Sequence, residues 1–223
     1  MRILTLCMLL LFSVGCLAAD VAVRLSDIDA SLNSIAVHAK QYPLRFSSPD
    51  ERDQVERELK KTINLLDRMI VRYPNEPDLL YRQGLANAMG HNFDYPGCAE
   101  KAMAAFEKSI ELAPENQRTL YEYGVFLSGT TLFDKGVPYL QKAIHFGEDR
   151  AHFTLAYIYI LKHEPDKARV ELEAHLKAYP GEPNGQKMLK ELDSDKFSIR
   201  TVNEKPPDDQ LIKYSTPPVQ PKQ

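Results

Sequence analysis

The feature that most constrains this 223-residue chain is a helix-forming segment that ends repeatedly at a proline. Leu66 to Tyr73-Pro74, Phe106 to Ala113-Pro114 and Leu172 to Tyr179-Pro180 each run from an apolar residue to a proline eight positions later. The prolines lie 40 and 66 residues apart, close to one and two periods of about 34 residues. Between the last two, Leu140-Gln141-Lys142-Ala143 falls where the phase places another copy, with Gly147-Glu148 standing in for its proline. A unit recurring at such a period cannot bury its apolar face alone, so successive copies must stack.

Each copy is a pair of helices. Leu80-x2-Gln83-Gly84 recurs as Leu120-x2-Tyr123-Gly124 and as His152-x2-Leu155-Ala156 in the first helix. The second helix repeats Ala102-x3-Phe106, Gly136-x3-Leu140 and Ala168-x3-Leu172. Small residues let the two helices approach closely, while the bulky ones fill the gap between neighbouring pairs. This pattern resembles the tetratricopeptide repeat, large-x2-Leu-Gly, then Ala-x3-Phe, then Pro. The resemblance covers residues 77–182 as three units, 77–116, 117–148 and 149–182. It implies an all-α solenoid of antiparallel helix pairs in a right-handed superhelix. The sequence departs from the pattern at Gln83 and Asn87, which are polar, and by an insertion of about six residues in the first unit.

Residues 20–76 read as N-terminal helices forming a degenerate leading repeat. Leu25, Ile28, Leu32, Ile35 and Ala39 follow a helical period, with Ser26 and Asp29 as a capping box. A second helix is expected from Ser48-Pro49-Asp50-Glu51, with Val55, Leu59, Ile63, Leu66 and Ile70 facing inward. Met188, Leu189 and Leu192 suggest a capping helix over 183–195. Residues 196–223 are proline-rich, and the sequence predicts a disordered, partly extended tail there.

Met1-Arg2, the apolar run Ile3–Val14 and the small residues to Ala19 have the layout of a secretory signal peptide over 1–19. The apolar stretch is shorter than a spanning helix of roughly 20 residues requires. The expected product is exported, periplasmic or secreted. In the alternative, Ser13-Val14-Gly15-Cys16 resembles a bacterial lipoprotein cleavage box, with Cys16 lipidated and the product membrane-anchored.

The formal charge of −3 argues against a dedicated nucleic-acid binder. Three cysteines are too few for a disulfide scaffold. No phosphate-cradling loop, nucleophile elbow or dinucleotide fingerprint is present, and no catalytic residue or cofactor is expected. The insertion brings three metal-capable residues close in sequence, His91, Asp94 and Cys98. Their spacing matches no zinc pattern, and the plainer reading is a turn with aromatic residues tucked against a helix. His145, His152, His163 and His175 fall within the repeats, where hydrogen-bonded structural roles are the default.

The resemblance implies that the first helices line a concave groove. Carried over residue by residue, the groove positions are Asp78, Tyr81, Leu85 and Ala88, then Arg118, Tyr121, Val125 and Ser128, then Arg150, Phe153, Tyr157 and Ile160. Tyr81, Tyr121 and Phe153 form an expected row of exposed aromatic residues, with Arg118 and Arg150 at the rim for an acidic flank of the partner. Leu85 and Val125 read equally well as core. The function this suggests is a non-catalytic envelope scaffold holding a protein or peptide with an apolar or aromatic segment. The rivals are a self-associating (homo-oligomeric) structural component, an inhibitor or immunity protein, and a metal- or thiol-dependent enzyme using the 90–98 loop.

Overall fold

A computed structural model describes residues 25–194, and every regular element among them is an α-helix. Residues 1–24, with the expected signal segment and Cys16, and residues 195–223, with the expected tail, lie outside the described residues. Among the described residues nine helices follow one another: α1 (25–39), α2 (Pro49–Arg72), α3 (Pro77–Asn92), α4 (Cys98–Leu112), α5 (Gln117–Ser128), α6 (Phe133–His145), α7 (Ala151–Leu161), α8 (Pro165–Ala178) and α9 (Pro183–Asp193). The chain is therefore an all-α, tetratricopeptide-like solenoid. From α2 to α9 the most extensive helix contacts join α3 to α4, α5 to α6 and α7 to α8.

Close approach within each pair depends on the small residues. A Cβ added at Gly84 would lie 2.6 Å from the Phe106 ring, and one at Gly124 would lie 2.5 Å from Leu140 Cγ. Ala156 and Leu172 share a core cluster at the corresponding place in the third pair. Between the first two pairs, Phe106 stacks on Tyr123 at 5.5 Å, and within the second pair Tyr123 lies 4.6 Å from Tyr139. The hydroxyl of Tyr123 escapes burial without a partner by donating to Glu107 at 2.7 Å.

The recurring prolines act on the residue before them. Tyr73, Ala113 and Tyr179 have φ/ψ of −131/67°, −138/74° and −129/72°, one geometry three times over. Proline's ring disfavours helical backbone at the preceding position, so each helix stops and the chain turns into the next pair. Where the proline is missing, Gly147 takes the left-handed conformation (φ 95°). The amide of Glu148 then donates to Ala143 O, and that of Gly147 to Ile144 O, both at 2.9 Å, which is a Schellman exit. The turns inside the first and third pairs use the same device, with Asp94 (φ 59°) and His163 (φ 58°) in the left-handed position.

In the leading unit, Ile28, Leu32, Ile35 and Ala39 of α1 pack on Val55, Leu59 and Leu66 of α2 and on Leu79, Ala86 and Met89 of α3. The apolar stripe of α2 is rotated slightly from the expected one. Thr62 and Met69 are buried, whereas Ile63 and Ile70 are half-buried. Ser48 caps α2 by accepting from Glu51 N at 3.2 Å. The expected capping box at Ser26 and Asp29 does not form, because residue 25 is already helical and the Asp29 carboxylate is taken by Arg82. At the far end, Leu192, Met188 and Leu189 of α9 cover Ile160, Ala168 and Leu172. The outward Gln186, Lys187 and Lys190 give the stack a polar end.

Candidate functional site: the inner wall

The first helices of successive pairs touch one another, α3 with α5 and α5 with α7, whereas no comparable contact joins α4 to α6 or α6 to α8. Helices closer together on one side than on the other form the short, inner side of a curved stack. That wall is where the sequence places the groove residues, and the structure rearranges their roles.

Tyr81 is not an exposed groove aromatic. It is 3% exposed and belongs to the core formed by Phe106, Tyr123 and Leu127. Its outward face is covered by the Arg118 guanidinium, 4.5 Å from the ring centroid. The same arrangement recurs one pair later, where the Arg150 guanidinium lies 4.5 Å from the half-buried Tyr121 ring. Each arginine at the start of one first helix thus lies over the tyrosine of the preceding one, a cation–π contact. The row does not continue to Phe153, whose half-buried ring meets His175 of α8 at 5.3 Å. An open row of three rings therefore gives way to two arginine-covered tyrosines and one ring turned toward α8.

Leu85 and Val125 are half-buried, each packed against a core cluster while keeping an outer edge. Ser128 donates back to Val125 O at 2.7 Å, and Ile160 is core. Tyr157 is 39% exposed, the one expected groove aromatic that presents substantial surface.

Two carboxylates and a lysine that sequence reasoning missed complete the wall. Glu148, in the α6–α7 turn, grips Arg150 in a bidentate pair, accepting from Nε and Nη2 at 2.7 Å each. The arginine beside it holds the Glu148 carboxyl below the usual carboxylate range, and the Arg150 guanidinium is correspondingly raised. Glu122, next to Tyr121, has a side chain only 7% exposed and is met by Lys40 Nζ at 2.8 Å. Lys40 follows the end of α1, 82 residues away in sequence, so no local pattern links the two. Burial pushes the Tyr81 hydroxyl up to about 12, with Glu122 adding to the shift and Arg118 opposing it. Burial raises Tyr121 as well, again reinforced by Glu122.

The insertion does not assemble a metal centre. Among the described residues no three His, Cys, Asp or Glu side chains converge as ligands. His91 lies edge-on to Phe126 at 5.9 Å, and Asp94 is exposed at its left-handed turn. Cys98 is buried against the position of Gly90, and burial pushes its thiol up, away from the reactive thiolate. His152 pairs with Glu171 at 2.6 Å across the third helix pair. His175 is 5% exposed between Phe153 and Tyr179, and neither ring nitrogen has a hydrogen-bond partner among the described residues. Among the described residues no helix is long and apolar enough to cross a membrane.

No protein-family model and no curated protein matches the chain. Solved structures do. The chain is similar to the structure titled "MamA RS-1 ArsTM double mutant", with a TM-score of 0.56 and 20% identity over 65% of this chain and 79% of that one. It is similar also to "Crystal structure of MamA", with a TM-score of 0.55 and 17% identity over 68% of this chain and 86% of that one. At such identities the likeness is one of fold, and the fold it carries is that of a tetratricopeptide-like helical solenoid.

Proposed function

We propose that this chain is an exported, non-catalytic scaffold of the cell envelope that holds a partner polypeptide along its inner wall. The observation that carries the reading is the arginine-over-tyrosine packing of α3, α5 and α7. It fixes the wall before any partner arrives, so little ordering entropy is lost on binding. Beside this packing the wall offers the half-buried Leu85 and Val125 and the exposed Tyr157, a mixture that fits an apolar or aromatic segment with an acidic flank. The solenoid fold supports the same reading, since stacked helix pairs build extended concave binding surfaces.

Export rests on the signal-like layout of residues 1–19, with lipidation at Cys16 as the alternative address. Mass spectrometry of the mature N-terminus distinguishes cleavage near Ala18 or Ala19 from a lipid-modified Cys16. For the wall, crosslinked capture from native envelopes compares the unmodified chain with Val125→Asp and Tyr157→Ala. Both variants are expected to lose the captured partner, Tyr157→Ala by about 1–3 kcal/mol of affinity, while circular dichroism stays unchanged. Undiminished capture by both removes the wall from the function. A mass that rises with concentration when no partner is added supports self-association instead.

A further inference from the structure

The two arginines of the wall are not equivalent. Arg150 is already committed, because Glu148 accepts from its Nε and Nη2 in a bidentate pair and the Glu148 side chain is only 11% exposed. An incoming carboxylate could take Arg150 only by leaving Glu148 largely buried without its counter-charge. Lys40 is committed in the same way to Glu122, whose side chain is 7% exposed. Arg118 differs. It is exposed, its guanidinium carbon sits 4.5 Å from the Tyr81 ring centroid, and among the described residues no carboxylate lies within salt-bridge distance of it. Contact with the ring holds the guanidinium in place, and its five N–H donors outnumber what one tyrosine can engage, which leaves donors for a carboxylate.

We infer that Arg118 is the wall's acid-reading residue, and that it takes one carboxylate side chain of the bound polypeptide while Arg150 serves as a positioning pin. This rests on the scaffold reading above and refines it, since the sequence alone assigns both arginines the same role. The partner's acidic contact is then a single side chain at the start of α5, followed by apolar residues toward Val125 of the same helix. Charge complementarity selects this occupant. Lys40 is paired with Glu122 and Arg150 with Glu148, so of these three cations Arg118 alone has no carboxylate partner among the described residues.

The test is selection from a displayed random-peptide library on the full chain. The same library is selected on Arg118→Ala, Arg118→Lys and the double variant Arg150→Ala/Glu148→Gln, which avoids stranding a buried carboxylate. Peptides enriched on the unmodified chain are expected to carry one Asp or Glu ahead of apolar residues. For such a peptide, affinity should fall about tenfold or more in Arg118→Ala, as for the loss of a charge-assisted hydrogen bond. Changing its acid to the amide should cost the same on the unmodified chain and nothing further on Arg118→Ala. Arg118→Lys should recover only part of the loss, since an ammonium neither stacks nor forks. The double variant should keep the preference for acid. Enriched peptides without an acid, or an acid preference that survives in Arg118→Ala, overturn the assignment while leaving the scaffold intact. A library that yields no enriched peptide overturns the scaffold reading and this assignment with it.

Discussion

Asp94 and His163 hold φ of 59° and 58°, a conformation that glycine adopts freely and other residues adopt at a cost. Both sit where a helix pair reverses, and both are exposed. Their side chains therefore contribute little there while their backbones carry strain. Asp94→Gly and His163→Gly are each expected to raise stability by about 0.5–1 kcal/mol, lower for Asp94 because Asp tolerates the left-handed region better. Urea unfolding measures this, and a loss on either substitution would show that the side chain stabilises the turn. The residue scale is also where the sequence was least legible. Asp94 and Cys98 look alike on paper as ligands, yet one is a turn former and the other a small buried apolar group. Tyr81 and Tyr157 both fall at groove positions, and burial separates them, at 3% and 39% exposed. Tyr81 is buried among Phe106, Tyr123 and Leu127, with Arg118 over its ring, and three of these four residues belong to the next pair, so no single repeat encodes the burial.

At the level of the helix pair, the small-against-large locks were legible because they are local. The spacing of Gly84, Gly124 and Ala156, set against Phe106, Leu140 and Leu172, predicts close helix approach, and the packing distances bear that out. Gly84→Ala is the direct probe. A Cβ would fall 2.6 Å from the Phe106 ring, and overpacking of this kind costs about 1–3 kcal/mol against roughly 1 kcal/mol of helix propensity gained. A net lowering of the melting temperature is expected. Combining it with Phe106→Leu should cost less than the sum of the single changes, because the added methyl then occupies space the ring has left. Strict additivity in that cycle would place the strain elsewhere. The proline exits were equally readable, and the same turn geometry at Tyr73, Ala113 and Tyr179 shows why.

Across the whole array the leading unit is tied to the repeats by more than apolar packing. Arg82 of α3 holds Asp29 of α1 in two hydrogen bonds of 2.8 and 2.6 Å, and Lys40 reaches Glu122 of α5. Lys40→Met leaves Glu122 nearly buried without its cation, and a loss of about 1–3 kcal/mol is expected, largely recovered in Lys40→Met/Glu122→Gln. Chemical denaturation of the two variants measures it, and equal losses in both would mean that Lys40 acts by something other than pairing. Long-range ties such as these were illegible in the sequence because nothing in the spacing of 82 residues marks them.

The ring-to-guanidinium contact is 4.5 Å in both places, although 37 residues separate Tyr81 from Arg118 and only 29 separate Tyr121 from Arg150. The extra length lies mostly in the helices, α3 having 16 residues against 12 in α5 and α4 having 15 against 13 in α6. The two rungs of the interior ladder keep one contact distance although the helix pairs between them differ in length. A rung transplanted from one level to another should therefore seat without retuning its neighbours.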